Sequence, residues 1–170
     1  QTLGIVGYGA IGKAVAQRAK AFGMTVQVLR NGKGSAQLTE DGASHAKDLS
    51  QLLASSDHVV LALPLTAASR GLINADALAC CKPGLHLINV ARGGLVDQDA
   101  LKVAQDSGLL GAASLDVTEP EPLPEGHWLY SHEKVRLTPH ISWAAGDVQA
   151  ATRDKFAENL QRYRRSQALF

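Results

Sequence analysis

Residues 2–12 read TLGIVGYGAIG, a short apolar run that turns directly into glycines spaced G-x-G-x-x-G at Gly7, Gly9 and Gly12. In a chain with 16 glycines the hexad alone would mean little. Its position makes it a constraint, because it closes an expected strand at about Leu3 to Val6 and opens a helical pattern, the context the motif requires. At such a turn Gly7 permits the tight reversal, Gly9 lets the backbone approach a pyrophosphate, and Gly12 lets helix and strand pack closely. The N–H groups near Ala10 and Ile11 then stand at the positive end of the helix. The feature predicts the first βα turn of a dinucleotide-binding fold. Ile11, Val15, Ala19 and Phe22 are expected on the buried face of its helix, with Gly23 ending it.

The rest of the chain keeps alternating short apolar runs with helical patterns. A strand is expected in MTVQVLR, and a short helix in KDLSQLLASSD that buries Leu49, Leu52 and Leu53. HVVLALP reads as a strand whose apolar run is too continuous for a sheet with one wet face. Asn74 is placed to cap a helix in NADALACCKPG, which Pro-Gly stops. LHLINVARGG supplies the next strand and its turn, DQDALKVAQDSG a helix, and GAASLDV another strand. TEPEPLPEGHW, with its three prolines, is loop. EKVRLTP is the last strand, and a helical pattern runs from about Ala144 toward Arg165. Strands and helices in this alternation give the α/β class: a doubly wound, Rossmann-type parallel sheet of about six or seven strands with helices on both faces. We expect one domain over residues 1–170. Ligands of such sheets bind at the carboxyl ends of strands, where strand order reverses.

A dinucleotide's adenosine ribose is read by a group at the end of the second strand, about 20 residues past the glycine loop. Arg30 stands 18 residues past Gly12. A carboxylate there would accept the ribose hydroxyls of NAD and repel the extra phosphate of NADP. An arginine offers planar, bidentate donors to that phosphate and stacks on adenine. Asn31 adds a donor and Lys33 a charge. One charge-assisted contact contributes ~1.5–3 kcal/mol, so the expected preference for NADP over NAD is roughly tenfold to a hundredfold and not exclusive.

Charge and cysteine usage narrow the partners. With 17 basic against 16 acidic side chains, nothing marks the surface for nucleic acid or an anionic membrane. The basic end QRYRRS reads as Arg162, Arg164 and Arg165 on a last helical turn, where the helix dipole favours them. Cys80 and Cys81 are adjacent, so they cannot staple distant segments and lack the spacing of a zinc or redox pair. No metal is expected, and a reducing, cytoplasmic compartment fits. No apolar run reaches the ~20 residues of a membrane span, and no basic-then-apolar leader opens the sequence. The start at Gln1, without methionine and almost inside a strand, suggests an excised domain.

The second half carries the more specific motifs. LINVARGGLVD (residues 87–97) ends a strand in Arg92 and two glycines; SLDVTEPEPLPEGHW and RLTPHISW follow. Arg92, Glu121 and His140 thus come after successive strands, at the sheet edge where a cofactor's reactive end belongs. Together with GYGAIG and LALPLTAASRGLI, and in the same order, these stretches resemble the D-isomer-specific 2-hydroxyacid dehydrogenases over essentially the whole chain.

The resemblance implies roles. Arg92 corresponds to the substrate-binding arginine, Glu121 to the acid paired with the histidine, and His140 to the catalytic acid/base. Glu119 is the competing acid in EPEP, and the family's placement before the PLP-like stretch, 29 residues after the arginine, selects Glu121. The residue types suit the chemistry. A guanidinium fork holds the carboxylate and carbonyl of a 2-oxo acid, and an imidazole donates the proton that an alkoxide needs. A carboxylate beside that imidazole favours its charged form.

Cofactor contacts carry over to Ala10 and Ile11 at the pyrophosphate and to Leu63 and Pro64 after the fourth strand. Val90 and Ala91 fall near the nicotinamide ribose, Asp116 at the carboxamide, and His140 and Ser142 on the nicotinamide side. Arg30 departs from the acid common among NAD-using members. Trp143 stands where small residues are frequent, and shapes either the substrate pocket or an interface. The resemblance further implies a homodimer and a substrate domain outside this chain, leaving an isolated cofactor domain that turns over 2-oxo acids poorly. Two functions stay open: reduction of a small acid such as glyoxylate or hydroxypyruvate, and dinucleotide sensing of the kind found in the family's corepressor branch.

Overall fold

The structure, a computed structural model, describes residues 1–30, 41–144 and 147–169. The described chain falls into two compact units, Gln1–Pro139 and His140–Phe170.

The first unit is built on a seven-stranded sheet. Its strands are β1 Thr2–Val6, β2 Thr25–Leu29, β3 Ser44–His45, β4 His58–Leu61, β5 Leu85–Asn89, β6 Leu110–Leu115 and β7 Val135–Leu137. All pair in parallel, in the order β3-β2-β1-β4-β5-β6-β7. The helices between them are α1 Ala10–Ala21, α2 Leu49–Ser55, α3 Ala75–Ala79 and α4 Gln98–Asp106. This is the Rossmann-type α/β fold expected from the alternation. β3, with two exposed residues, lay below what an apolar run can signal.

The sheet is covered on both faces, as the continuous apolar run of β4 requires. Val59 and Leu61 point into a core shared with Leu52, Leu53, Leu87 and Leu101, whereas Val60 joins a second core with Leu3, Ile5, Val26 and Val28. Alternation along the strand thus feeds two cores at once. Each fully buried leucine contributes about 1.5–3 kcal/mol relative to exposure.

Helix starts follow the side chains that precede them. Asp48 Oδ1 accepts from Gln51 N at 2.8 Å, Asn74 Oδ1 from Ala77 N at 2.9 Å, and Asp97 Oδ1 from Asp99 N and Ala100 N. Each capping bond satisfies an otherwise unpaired N–H. The expected face of α1 needs correction. Its buried residues are Gly12, Ala16 and Ala19, with Val15 partly buried, while Ile11 and Phe22 are exposed. Small residues face the sheet because the helix lies too close to it for larger ones. Gly23, at φ 74°, ends the helix region as expected.

The second unit contains α5, Val148–Arg164, with Arg162 and Arg164 in its last turn and Arg165 as its C-cap residue. No described helix is long and apolar enough to cross a membrane.

Candidate functional site

Strand order reverses beside β1, whose neighbours are β2 and β4. The carboxyl ends of these strands, with that of β5, therefore frame the crevice. The glycine loop lies directly after β1. Gly7 holds φ 96°, and a Cβ there would stand 2.5 Å from the Ala62 carbonyl oxygen after β4. A Cβ at Gly12 would meet the Gly7 carbonyl oxygen, so Gly12 is what lets α1 start against the turn. Gly9 differs, because a Cβ there would point into open space. Its missing side chain leaves room outside the protein, at the amino end of α1, where a pyrophosphate would approach.

Two hollows open along this edge. One, of about 510 Å³, is lined by Val6, Gly7, Tyr8, Leu29, Arg30, Leu63, Pro64, Thr66, Ala68, Ser69 and Leu72. The other, of about 550 Å³, is lined by Ile11, Ala62, Leu63, Pro64, Leu65, Val90, Ala91 and Arg92. Leu63 and Pro64 border both. The structure thus gathers Gly7, Ile11, Arg30, Leu63, Pro64, Val90, Ala91 and Arg92 on one edge, with an arginine in each hollow. Ile11, 58% exposed, lines the second hollow, so its apolar surface faces the crevice and not the core. Asn31 and Lys33 lie outside the described residues.

Buried polar groups shape the Arg92 turn. Asn89, 1% exposed, donates from Nδ2 to the Arg92 carbonyl at 2.9 Å and accepts from Ala91 N at 3.1 Å. An amide satisfied on both sides at a strand end fixes the turn rigidly. Asp116 is buried and accepts from Thr138 Oγ1 at 2.5 Å, while its N–H donates to the Asn89 carbonyl.

The glycines after Arg92 clear space for protein. A Cβ on Gly93 would collide with the Thr118 carbonyl, and one on Gly94 would stand 2.7 Å from Glu119 Oε2. The acidic loop packs directly on this turn. Glu119 is bound there: Arg70 Nη1 donates to both its carboxylate oxygens at 2.9 and 2.7 Å, and Gln98 brackets its backbone at 2.5 and 3.1 Å. Glu119 is thereby committed to a structural pair. Asn89, Arg70 and Gln98 were not singled out in the sequence; a polar residue ending the apolar run LHLIN was the one available signal.

In the second unit His140 adopts φ 53°, and Trp143 Nε1 donates to its carbonyl at 2.7 Å. A non-glycine residue in this region costs of order 1–3 kcal/mol and marks functional sites disproportionately. Trp143 therefore has a local task, clasping the backbone of His140. Ser142 belongs to the same unit.

The profile of the D-isomer specific 2-hydroxyacid dehydrogenase NAD-binding domain matches residues 1–142. The chain belongs to the D-isomer-specific 2-hydroxyacid dehydrogenase family. A glyoxylate reductase of Pyrococcus furiosus is 40% identical over 167 residues, covering 98% of this chain and 49% of the relative. Among solved structures, a family member from Xanthobacter autotrophicus in complex with NADPH and MES superposes with a TM-score of 0.88 at 36% identity, over 99% of this chain and 69% of that one. An NADPH-dependent glyoxylate/hydroxypyruvate reductase of Sinorhizobium meliloti, bound to NADP and sulfate, gives 0.88 at 31% identity, over 99% and 54%. The chain thus spans about half the length of the glyoxylate reductase it resembles. The paired hollows lie at the carboxyl ends of the strands, the edge at which sheets of this kind bind their ligands.

Proposed function

We propose that this chain is the cofactor domain of an NADP-preferring 2-hydroxyacid dehydrogenase that also accepts NAD, acting on a small acid such as glyoxylate or hydroxypyruvate. The observation that carries the reading is the pair of hollows on one sheet edge, one lined by Arg30 and the other by Arg92. Relatives bound to NADPH and to NADP support the cofactor, and reductases of glyoxylate and hydroxypyruvate support the substrate class.

The dinucleotide fits the residues present. Gly9 leaves the approach to α1 open, and Ala10 and Ile11 begin the helix whose N–H groups receive the pyrophosphate. Gly7 and Gly12 hold the turn itself. Arg30, with Asn31, reads the adenosine ribose and its phosphate. Leu63 and Pro64 border the path, Val90 and Ala91 the nicotinamide ribose, and Asp116 and Ser142 the carboxamide side. When bound, the nicotinamide supplies or takes the hydride at the carbonyl carbon of the acid. Arg92 binds the substrate carboxylate and polarises its carbonyl. His140 gives its proton to the alkoxide oxygen that forms, leaving a 2-hydroxy acid and a neutral imidazole. In oxidation neutral His140 takes that proton back, with Glu121 as the acid paired with it. The enzyme is proposed as a cytoplasmic homodimer, with no metal in its chemistry.

Titrating NADPH and NADH into the protein and into Arg30→Asp tests the cofactor reading. NADPH is expected to bind the unchanged protein roughly tenfold to a hundredfold tighter, and Arg30→Asp to lose that margin. Equal or tighter NADH binding by the unchanged protein would sink it. Following nicotinamide absorbance in a screen of full-length protein with 2-oxo acids tests the reaction. Binding of NADPH without turnover of any acid would favour a dinucleotide sensor.

A further inference from the structure

We propose that Tyr8 and Asp41 set how strongly this chain prefers NADP over NAD: Asp41, held by the Tyr8 hydroxyl, places a negative charge at the adenosine end that opposes the phosphate Arg30 receives. The inference rests on the proposed reading of Arg30.

Tyr8 stands between the first two glycines of the loop and lines the same hollow as Arg30. Its hydroxyl donates to Asp41 Oδ2 at 3.0 Å across 33 residues of sequence. The Asp41 main chain is anchored as well. Its carbonyl accepts from Lys20 Nζ on α1, and the next residue, Gly42, turns the chain at φ 65° with that ammonium 3.1 Å from where its Cβ would be. Lys20 is therefore bound to the carbonyl of Asp41 and not to its carboxylate. Among the described residues no cation lies within ion-pair distance of that carboxylate. Tyr8 orders it by a neutral hydrogen bond that leaves its charge in place.

Both charges reach the phenol of Tyr8. Its hydroxyl ionises above the usual range, first because it is partly buried, then because Asp41 bonds and faces it, with Arg30 acting in the opposite sense. A phosphate on the adenosine ribose, brought to Arg30, would enter the same field. NADP carries that phosphate and NAD does not, so the carboxylate weakens the first more than the second. An arginine directly after β2 is thereby kept from making the chain exclusive for NADP.

The test titrates the 170-residue chain and its variants with NADPH and with NADH at low ionic strength, where exposed charges are least screened. Asp41→Asn is expected to raise the ratio of NADPH to NADH affinity about threefold to tenfold. Tyr8→Phe keeps the ring in the hollow but releases the carboxylate, and should shift the ratio the same way by less. Because Tyr8 acts through Asp41, adding Tyr8→Phe to Asp41→Asn should change nothing more. An unchanged ratio in Asp41→Asn, or effects that add, overturns the proposal. So does a loss confined to NADH, which would make Asp41 a reader of the ribose hydroxyls. Arg30→Asp separates the two levels. If it leaves the ratio unchanged, or if neither dinucleotide binds the unchanged chain, the reading of Arg30 falls and this inference with it. If it abolishes the preference while Asp41→Asn has no effect, only this inference fails.

Discussion

His58 and His86 face each other across β4 and β5 with their Nδ1 atoms 3.3 Å apart, and His86 Nε2 meets Ser114 Oγ at 2.9 Å. Burial first, and then the neighbouring His58, hold the His86 imidazole below its ordinary pKa. The unfolded chain, whose histidine titrates near about 6.5, therefore takes up this proton before the folded one. Its contribution to stability is complete above that value and falls as pH drops through it toward the lower folded pKa. Asp57 and Asp106, held low first by hydrogen bonds from Lys82 and Lys102, lose their contributions only below the ordinary carboxylate range. The urea midpoint should thus decline between pH 8 and pH 5.5, and His86→Asn should flatten that decline; an equal slope in the variant would refute the assignment. Cysteine chemistry is also decided residue by residue. Cys81 is buried and its thiol is pushed up to about 11, first by desolvation, whereas its neighbour Cys80 is exposed.

Helix faces show where periodicity informs and where it misleads. In α2 the expected leucines are inside, because Leu52 and Leu53 are fully buried and Leu49 packs at the edge. In α1 the same reasoning selected Ile11, which lines a hollow, and Phe22, whose exposure nothing in the structure explains. An apolar residue that serves a crevice looks, in sequence, like one that serves the core. α4 presents the converse. Gln105 is 1% exposed, yet neither end of its amide has a hydrogen-bond partner among the described residues. A buried amide left unpaired costs about 1–3 kcal/mol, so Gln105→Leu, which removes that cost while keeping most of the volume, should stabilise by about 1 kcal/mol. Thermal unfolding of the variant checks this, and a lowered midpoint would show that the amide is satisfied.

At the scale of the whole molecule the chain matches the family's NAD-binding domain, yet spans 49% of the glyoxylate reductase it resembles. We propose that the 170-residue chain by itself binds dinucleotide but turns over 2-oxo acids poorly, since a nicotinamide held by one wall of a cleft would be open to water. Comparing its turnover with that of a full-length relative tests this, and matching rates would refute it. Legibility followed the range of the interactions. GYGAIG, the capping Asn74 and the turn residues Arg30 and Arg92 after β2 and β5 were readable because a turn, a cap and a strand end are made by neighbours in sequence. The sequence by itself determined the α/β alternation, the glycine turn and the side chains offered along the sheet edge. Only the tertiary structure decided that Glu119 is bound by Arg70 and Gln98, that Gly93 and Gly94 make room for that loop, and that Asp41 comes to Tyr8. These contacts join segments far apart along the chain. Their partners are chosen by which strands lie side by side, which no local pattern encodes.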